Sequence, residues 1–247
     1  MVRLYVPIER LGGKELDLQS DEIGYLVRVR RLEAGEPLEV FDGRGGRWAA
    51  VLRPGRESLS LGERVPDRSR RRFSFELWQG LAKGERMEWV IQKATELGVS
   101  RIVPLACERS VVKLPPARAV SKLQRWRKIA QEAARQSGRA DVPEVAEVAT
   151  VATLIGRAQA GGRAALLYER EDRRALPPFL SEIAAGAHLA LVVGPEGGFD
   201  PGEIERVSAA GIPLLGMGDR MLRTETAAVA VCVLALAASG GMGWMER

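Results

Sequence analysis

A chain of 247 residues with 46% apolar and 28% charged side chains is a folded protein with a real core, not a disordered segment. Its formal charge of +5, from 37 basic and 32 acidic residues, permits a polyanionic partner without demanding one. Two cysteines, Cys107 and Cys232, sit far apart in apolar settings, which excludes a disulfide framework and a cysteine metal centre, and no metal is expected. Arginine supplies 31 of the 37 cations. Its planar fork pairs with phosphate and stacks on bases, although a GC-rich genome or heat adaptation gives the same bias. The N-terminus, Met1-Val2-Arg3-Leu4-Tyr5, lacks a signal-peptide layout, and the longest apolar run, 227–238, is too short for a bilayer. A cytoplasmic protein without membrane contact is expected.

In chain order, residues 1–66 read as short strands and turns. Strands are predicted at 3–7, 38–41, 47–52 and 58–65, with Asp21 capping a short helix that runs through Arg31. Asp42-Gly43-Arg44-Gly45-Gly46 is a hairpin signal. Together they suggest a small β-barrel-like module. The polar, basic stretch 66–72 reads as a linker, giving domains at 1–70 and 73–247. From Phe73 the pattern alternates. Strands are predicted at 73–79, 101–105, 164–168, 189–193 and 212–215, and helices at 85–97, 117–137, 201–210 and 224–238. The stretch 150–162 carries no clear signal. Such alternation predicts an α/β fold with a mainly parallel sheet, helices on both faces, and ligands beyond the carboxyl ends of its strands.

Four segments carry chemistry. Val193-Gly194-Pro195-Glu196-Gly197-Gly198-Phe199 follows an apolar strand, and its three glycines let main chain approach a ligand. Asp200-Pro201 then opens a helix. The spacing is not that of a dinucleotide fingerprint or a P-loop. The second segment, Leu215-Gly216-Met217-Gly218-Asp219-Arg220-Met221-Leu222-Arg223-Thr224-Glu225-Thr226-Ala227, leads into an Ala-, Val- and Leu-rich helix with Thr224 as its cap. That helix reads as buried on all sides, with Arg220, Arg223 and Glu225 buried beside it and needing a partner or ligand. In the third, Lys83, Arg86 and Lys93 accompany a helical stripe of Met87, Val90, Ile91, Ala94 and Leu97. In the fourth, Arg118, Lys122, Arg125, Arg127, Lys128, Arg135 and Arg139 crowd one long helix in which Glu132 alone opposes them. These two groups are either solvated faces or phosphate contacts. His188, the single histidine, precedes a strand and is a poor general base.

The stretches VRVRRLEAGEPLEVFDG, KGERMEWVIQKATELGVSRIVPL, CERSVVKL, LQRWRKIAQEAARQSGR, GPEGGF and LRTETAA resemble, in order, the ribosomal RNA small subunit methyltransferase E family. That family methylates ring N(3) of a uridine in 16S rRNA. The resemblance implies a SPOUT-type fold whose C-terminal part threads a trefoil knot, preceded by a PUA-like β-barrel that binds RNA. It also implies a homodimer, and 16S rRNA in an assembled small subunit as the partner. S-adenosylmethionine would be held by Leu167, Tyr168, Glu169, Val193, Gly194, Pro195, Glu196, Gly197, Gly198, Leu215, Gly216, Met217, Gly218, Arg220, Met221, Leu222, Thr226 and Ala227, and leave as S-adenosylhomocysteine. Arg223 and Glu225 would be catalytic, with Asp219 a second candidate base. Arg3, Arg28, Arg30, Arg31, Lys83, Arg86, Arg125, Lys128 and Arg135 would grip RNA. A SPOUT 2′-O-methyltransferase of tRNA and a non-enzymatic ribosome-associated RNA-binding protein are the alternatives.

Overall fold

The computed structural model describes residues 1–65, 71–112, 114–171 and 174–242. The chain divides into two compact units, Met1–Arg68 with Gln131–Val142, and Ser69–Ala130 with Pro143–Arg247.

The first unit holds a five-stranded sheet of β1 (Val2–Tyr5), β2 (Glu15–Asp17), β3 (Pro37–Phe41), β4 (Arg47–Leu52) and β5 (Ser58–Arg64), in the order β1-β3-β4-β5-β2. Only β1 and β3 pair in parallel. Period-two alternation turns Leu38 and Val40, and Ala50 and Leu52, inward onto Leu4, Leu26 and Leu59. In the hairpin turn, Asp42 Oδ1 accepts the amides of Arg44 and Gly46 at 2.7 and 2.8 Å. The predicted helix from Asp21 to Arg31 is not one regular helix. It is a short α1 (Ser20–Ile23) capped by Gln19, whose amide donates to Glu22, followed by a π-helical turn over Gly24–Val29. Arg31 then takes φ 55° and ends it. The wide turn keeps Leu26 fully buried while Arg28, Arg30 and Arg31 stay exposed.

In the second unit seven strands form one sheet: β6 (Ser74–Gly80), β7 (Arg101–Ala106), β8 (Glu144–Val145), β9 (Ala149–Thr150), β10 (Arg163–Leu167), β11 (His188–Val193) and β12 (Leu214–Leu215). Their order is β12-β10-β11-β6-β7-β8, with β9 also on β7, and every pairing is parallel. Parallel neighbours require crossovers, which the helices α2 (Arg86–Glu96), α3 (Pro116–Ser137), α4 (Val151–Gln159), α5 (Leu176–Ser181) and α6 (Pro201–Ala209) supply, and α7 (Thr224–Ala238) follows the last strand. Trp78, Leu105, Leu166 and Val192 share a core with Leu154 of α4 and Val207 of α6. The intervening residues of β6 and β11 face α7, which also packs on α2 and α5. The α/β fold with a parallel sheet covered on both faces is therefore the one the alternation predicts.

Three expectations need correction. The stretch 150–162 holds α4, whose Thr150 and Thr153 form a reciprocal cap. Thr224 is the first residue of α7 rather than its cap, because its hydroxyl is engaged elsewhere, and Arg223 stands at the cap without a side-chain bond. Nor is α7 buried all round. Thr224, Ala228, Val231, Cys232 and Ala235 are buried, and most of its other residues stay partly exposed beside β6, β11, α2 and α5. The linker reading at 66–72 falls mostly on residues 66–70, outside those described.

Candidate active site

The loops leaving β10, β11 and β12 meet at one end of the parallel sheet. With Arg86, Arg109 and the first turn of α7 they enclose a cleft of about 750 Å³. Leu167, Tyr168, Glu169, Val193, Gly194, Pro195, Glu196, Gly197, Gly198, Met217, Arg220, Met221, Leu222, Arg223, Glu225 and Ala227 line it. Leu215, Gly216, Gly218 and Thr226 do not. Four lining residues were given no ligand role from the sequence: Arg109, Arg170, Phe199 and Thr224.

The loops are fixed by polar contacts between segments remote in sequence. Gly216 donates its amide to Arg174 O at 2.8 Å and accepts from the Leu176 amide at 3.0 Å. A Cβ there would stand 2.1 Å from Glu171 O, so only glycine passes so close to this loop. At the centre, the Thr224 hydroxyl donates to Gly194 O at 2.6 Å and accepts from Gln79 Nε2 at 2.8 Å. Gln79 is wholly buried at the end of β6. Sequence reasoning missed it, because β6 also carries Ser74 and Glu76 and a third polar side chain there gives no distinct signal.

The electrostatics of the cleft are mixed. Glu196 accepts the Lys83 amide at 2.9 Å and Arg86 at 3.0 Å. Burial alone would raise the Glu196 carboxyl, but these bonds and its own amide outweigh it and hold it below the usual carboxylate range. Arg86 Nε also lies 3.9 Å from Glu225 Oε1, while Glu225 Oε2 is buried without a hydrogen-bond partner among the described residues. The arginines of the β12 loop are not buried as expected. Arg220 and Arg223 are exposed, with no partner among the described residues, because the loop leaves an edge strand beside an open cleft. Both cysteines are buried, which pushes their thiols up to about 12 and makes them unfit as nucleophiles. His188 lies at the start of β11, bonded to Ser74 Oγ through Nδ1 at 2.8 Å and 3.2 Å from Glu76 through Nε2, and does not line the cleft.

The basic residues outside the cleft differ in availability. Arg3 pairs with Glu39, lies 4.6 Å from the Phe41 ring and donates to the carbonyls of Ala134 and Arg135. Arg135 stacks on Tyr25 at 3.8 Å and pairs with Glu132. Arg125 bonds Glu88 at 2.6 Å, with Lys122 at 3.6 Å from the same carboxylate. Glu88 belongs to α2, so a count of charges within α3 could not find it. Lys128, like Arg28, Arg30 and Arg31, is exposed with no partner among the described residues. Lys83 is exposed and contributes its amide to Glu196.

Comparison with known proteins agrees with this architecture. The family model for an RNA methyltransferase domain matches residues 69–236, and that for an RNA methyltransferase PUA domain matches residues 18–62. Ribosomal RNA small subunit methyltransferase E of Bacillus subtilis is 34% identical over 237 residues, covering 92% of this chain and 93% of that protein. The chain belongs to the ribosomal RNA small subunit methyltransferase E family. The Synechocystis member is also 34% identical, over 91% of this chain and 74% of its own length. A crystal structure of the Neisseria gonorrhoeae member bound to S-adenosyl methionine superposes with a TM-score of 0.84 at 28% identity, over 96% of this chain and 97% of that one. A Legionella pneumophila methyltransferase in complex with the same cofactor gives 0.85 at 30% identity, over 96% and 97%.

Proposed function

We propose that this protein transfers a methyl group from S-adenosylmethionine to ring N(3) of a uridine in 16S rRNA, releasing S-adenosylhomocysteine. One observation carries the reading: three loops beyond the carboxyl ends of parallel strands form a cleft in a chain whose relatives include a cofactor-bound member of the same family. Its 750 Å³ lies in the upper part of the roughly 300–1,000 Å³ range of small-molecule sites, which leaves room for donor and acceptor base together. Main chain of 167–169, 194–198 and 217–222 would hold the donor, with Leu167, Val193 and Leu222 as apolar walls. The donor, when bound, supplies a methyl carbon made electrophilic by its sulfonium.

The protein's own residues supply the rest. Ring N(3) of uracil becomes nucleophilic on losing its imide proton. Arg223, unpaired among the described residues, stabilises the developing anion, and Glu225, whose Oε2 has no hydrogen-bond partner among them, accepts the proton. Asp219 is exposed on the same loop and is the weaker candidate. The close passage of Gly216 past Glu171 and Arg174 supports a C-terminal knot. The partly exposed apolar side of α7 supports homodimer formation. Residues 1–70 act as a PUA-like RNA-binding domain, and residues 73–247 as the catalytic domain. Arg28, Arg30 and Arg31 contact phosphates of rRNA in an assembled small subunit, in the cytoplasm.

The test compares methyl transfer to naked 16S rRNA and to purified small subunits, with mass spectrometry of the nucleosides. N(3)-methyluridine formed preferentially on subunits is the expected product. A 2′-O-methylated nucleoside, or no donor binding at millimolar concentration, would overturn the reading.

A further inference from the structure

Arg109 is the cleft residue for which the fold makes the most specific provision, and no role in donor or proton chemistry accounts for it. It sits in the turn after β7. Ser110 closes that turn twice, its amide donating to Cys107 O at 3.0 Å and its hydroxyl accepting the Cys107 amide at 3.1 Å. The carboxylate of Glu203, 2% exposed, accepts the Glu108 amide at 3.0 Å and the Asp200 amide at 2.9 Å. One buried carboxylate thus ties the turn bearing Arg109 to the start of α6. Gly197 of the Gly-rich loop packs against the same turn, and a Cβ there would lie 2.7 Å from Arg109 O. The backbone is held on three sides, yet the Arg109 side chain is 48% exposed and lines the cleft.

Its single ion pair among the described residues, to Asp200 Oδ2 at 3.4 Å, is long and open to solvent. Asp200 is also committed through Oδ1 to the Gly202 amide as the cap of α6. Exposed pairs of this kind contribute little, so a better acceptor displaces Asp200 readily. An RNA phosphate is such an acceptor, since a guanidinium fork matches two of its oxygens.

We propose that Arg109 is a phosphate-binding subsite for the RNA strand that carries the acceptor nucleotide into the cleft. The subsite rests on the function proposed above and adds an acceptor contact from the β7 turn. Arg109 fixes the strand, whereas Arg223 and Glu225 act on the base.

The experiment measures binding of Arg109→Glu, Arg109→Gln and Arg109→Lys variants to small ribosomal subunits across a salt series, with donor affinity by calorimetry alongside. For the Gln and Glu forms, subunit affinity should fall about 5- to 10-fold near physiological salt, and the slope of log affinity against log salt should decrease by about one. Donor affinity should stay within about twofold, KM for subunits should rise with kcat nearly unchanged, and Lys should restore most of the loss. Unchanged subunit affinity and slope in an active enzyme would overturn this subsite alone. A loss confined to donor affinity would also overturn it, making Arg109 a donor residue. Wild-type protein that neither binds nor methylates subunits would overturn the subsite and the proposed function together.

Discussion

Thr224→Val isolates the contact that ties the start of α7 to the Gly-rich loop. Valine matches threonine in shape and branching but lacks the hydroxyl. The change therefore removes a donor to Gly194 O and an acceptor for Gln79 Nε2 with little change in packing. Thr224 is 6% exposed and Gln79 0%, so water does not readily replace the lost partners. Gln79 Nε2 keeps its bond to Gly80 O at 3.0 Å, so only one of its hydrogens is orphaned. Two buried groups left unpaired cost about 1–3 kcal/mol each at most, and a loss of roughly 2–4 kcal/mol is expected. For a chain of this size that lowers the melting temperature by roughly 5–15 °C. Thr224→Ser keeps the hydroxyl and should lose only about 1 kcal/mol for the missing methyl group. Urea denaturation at constant slope, run on wild type and both variants, checks the ordering. If valine costs under about 0.5 kcal/mol, or serine costs as much as valine, the hydroxyl does not carry this junction.

Three further outcomes follow from the same geometry. Burial alone would raise the Glu76 carboxyl, but bonds to His188 and Trp78 and the charge of Arg157 hold it below its usual value. A depressed folded-state value contributes stability above the unfolded carboxylate value of about 4.3, lost as pH falls through the folded one. Wild type should therefore destabilise more steeply than Glu76→Gln on acidification below about pH 5, and parallel stability profiles would refute this assignment. Arg223→Ala should lower single-turnover methyl transfer about 10²- to 10³-fold with donor affinity nearly intact, and Glu225→Gln should lower it by about 10² or more. Unchanged rates in both would remove them from the reaction. Gly216→Ala forces a Cβ onto Glu171 O and should prevent stable folding, scored as loss of soluble protein or of a cooperative melt.

Local signals determined much of this protein. Strand and helix alternation after Phe73, the hairpin at Asp42, the cap at Asp200 and the glycines after β11 and β12 each report on neighbours a few residues away, and each lies in the structure where its pattern puts it. The two-residue strands β8 and β9 are too short for a period, and the broken helix at Gly24 is set by what must stay buried. The site was legible as loops but not as contacts. Gln79, Thr224 and Gly194 meet across 145 and 30 residues, and Glu203 holds the Glu108 amide, next to Arg109, from 95 residues away. Basic residues that look alike in the sequence also diverge. Arg3 and Arg135 are consumed by Glu39, Phe41 and Tyr25, while Arg28 and Lys128 have no partner among the described residues. Sequence specifies which chemistry is present at each turn. Tertiary structure alone decides which charges neutralise one another and which are left facing the cleft, because pairing depends on distances that chain order does not contain.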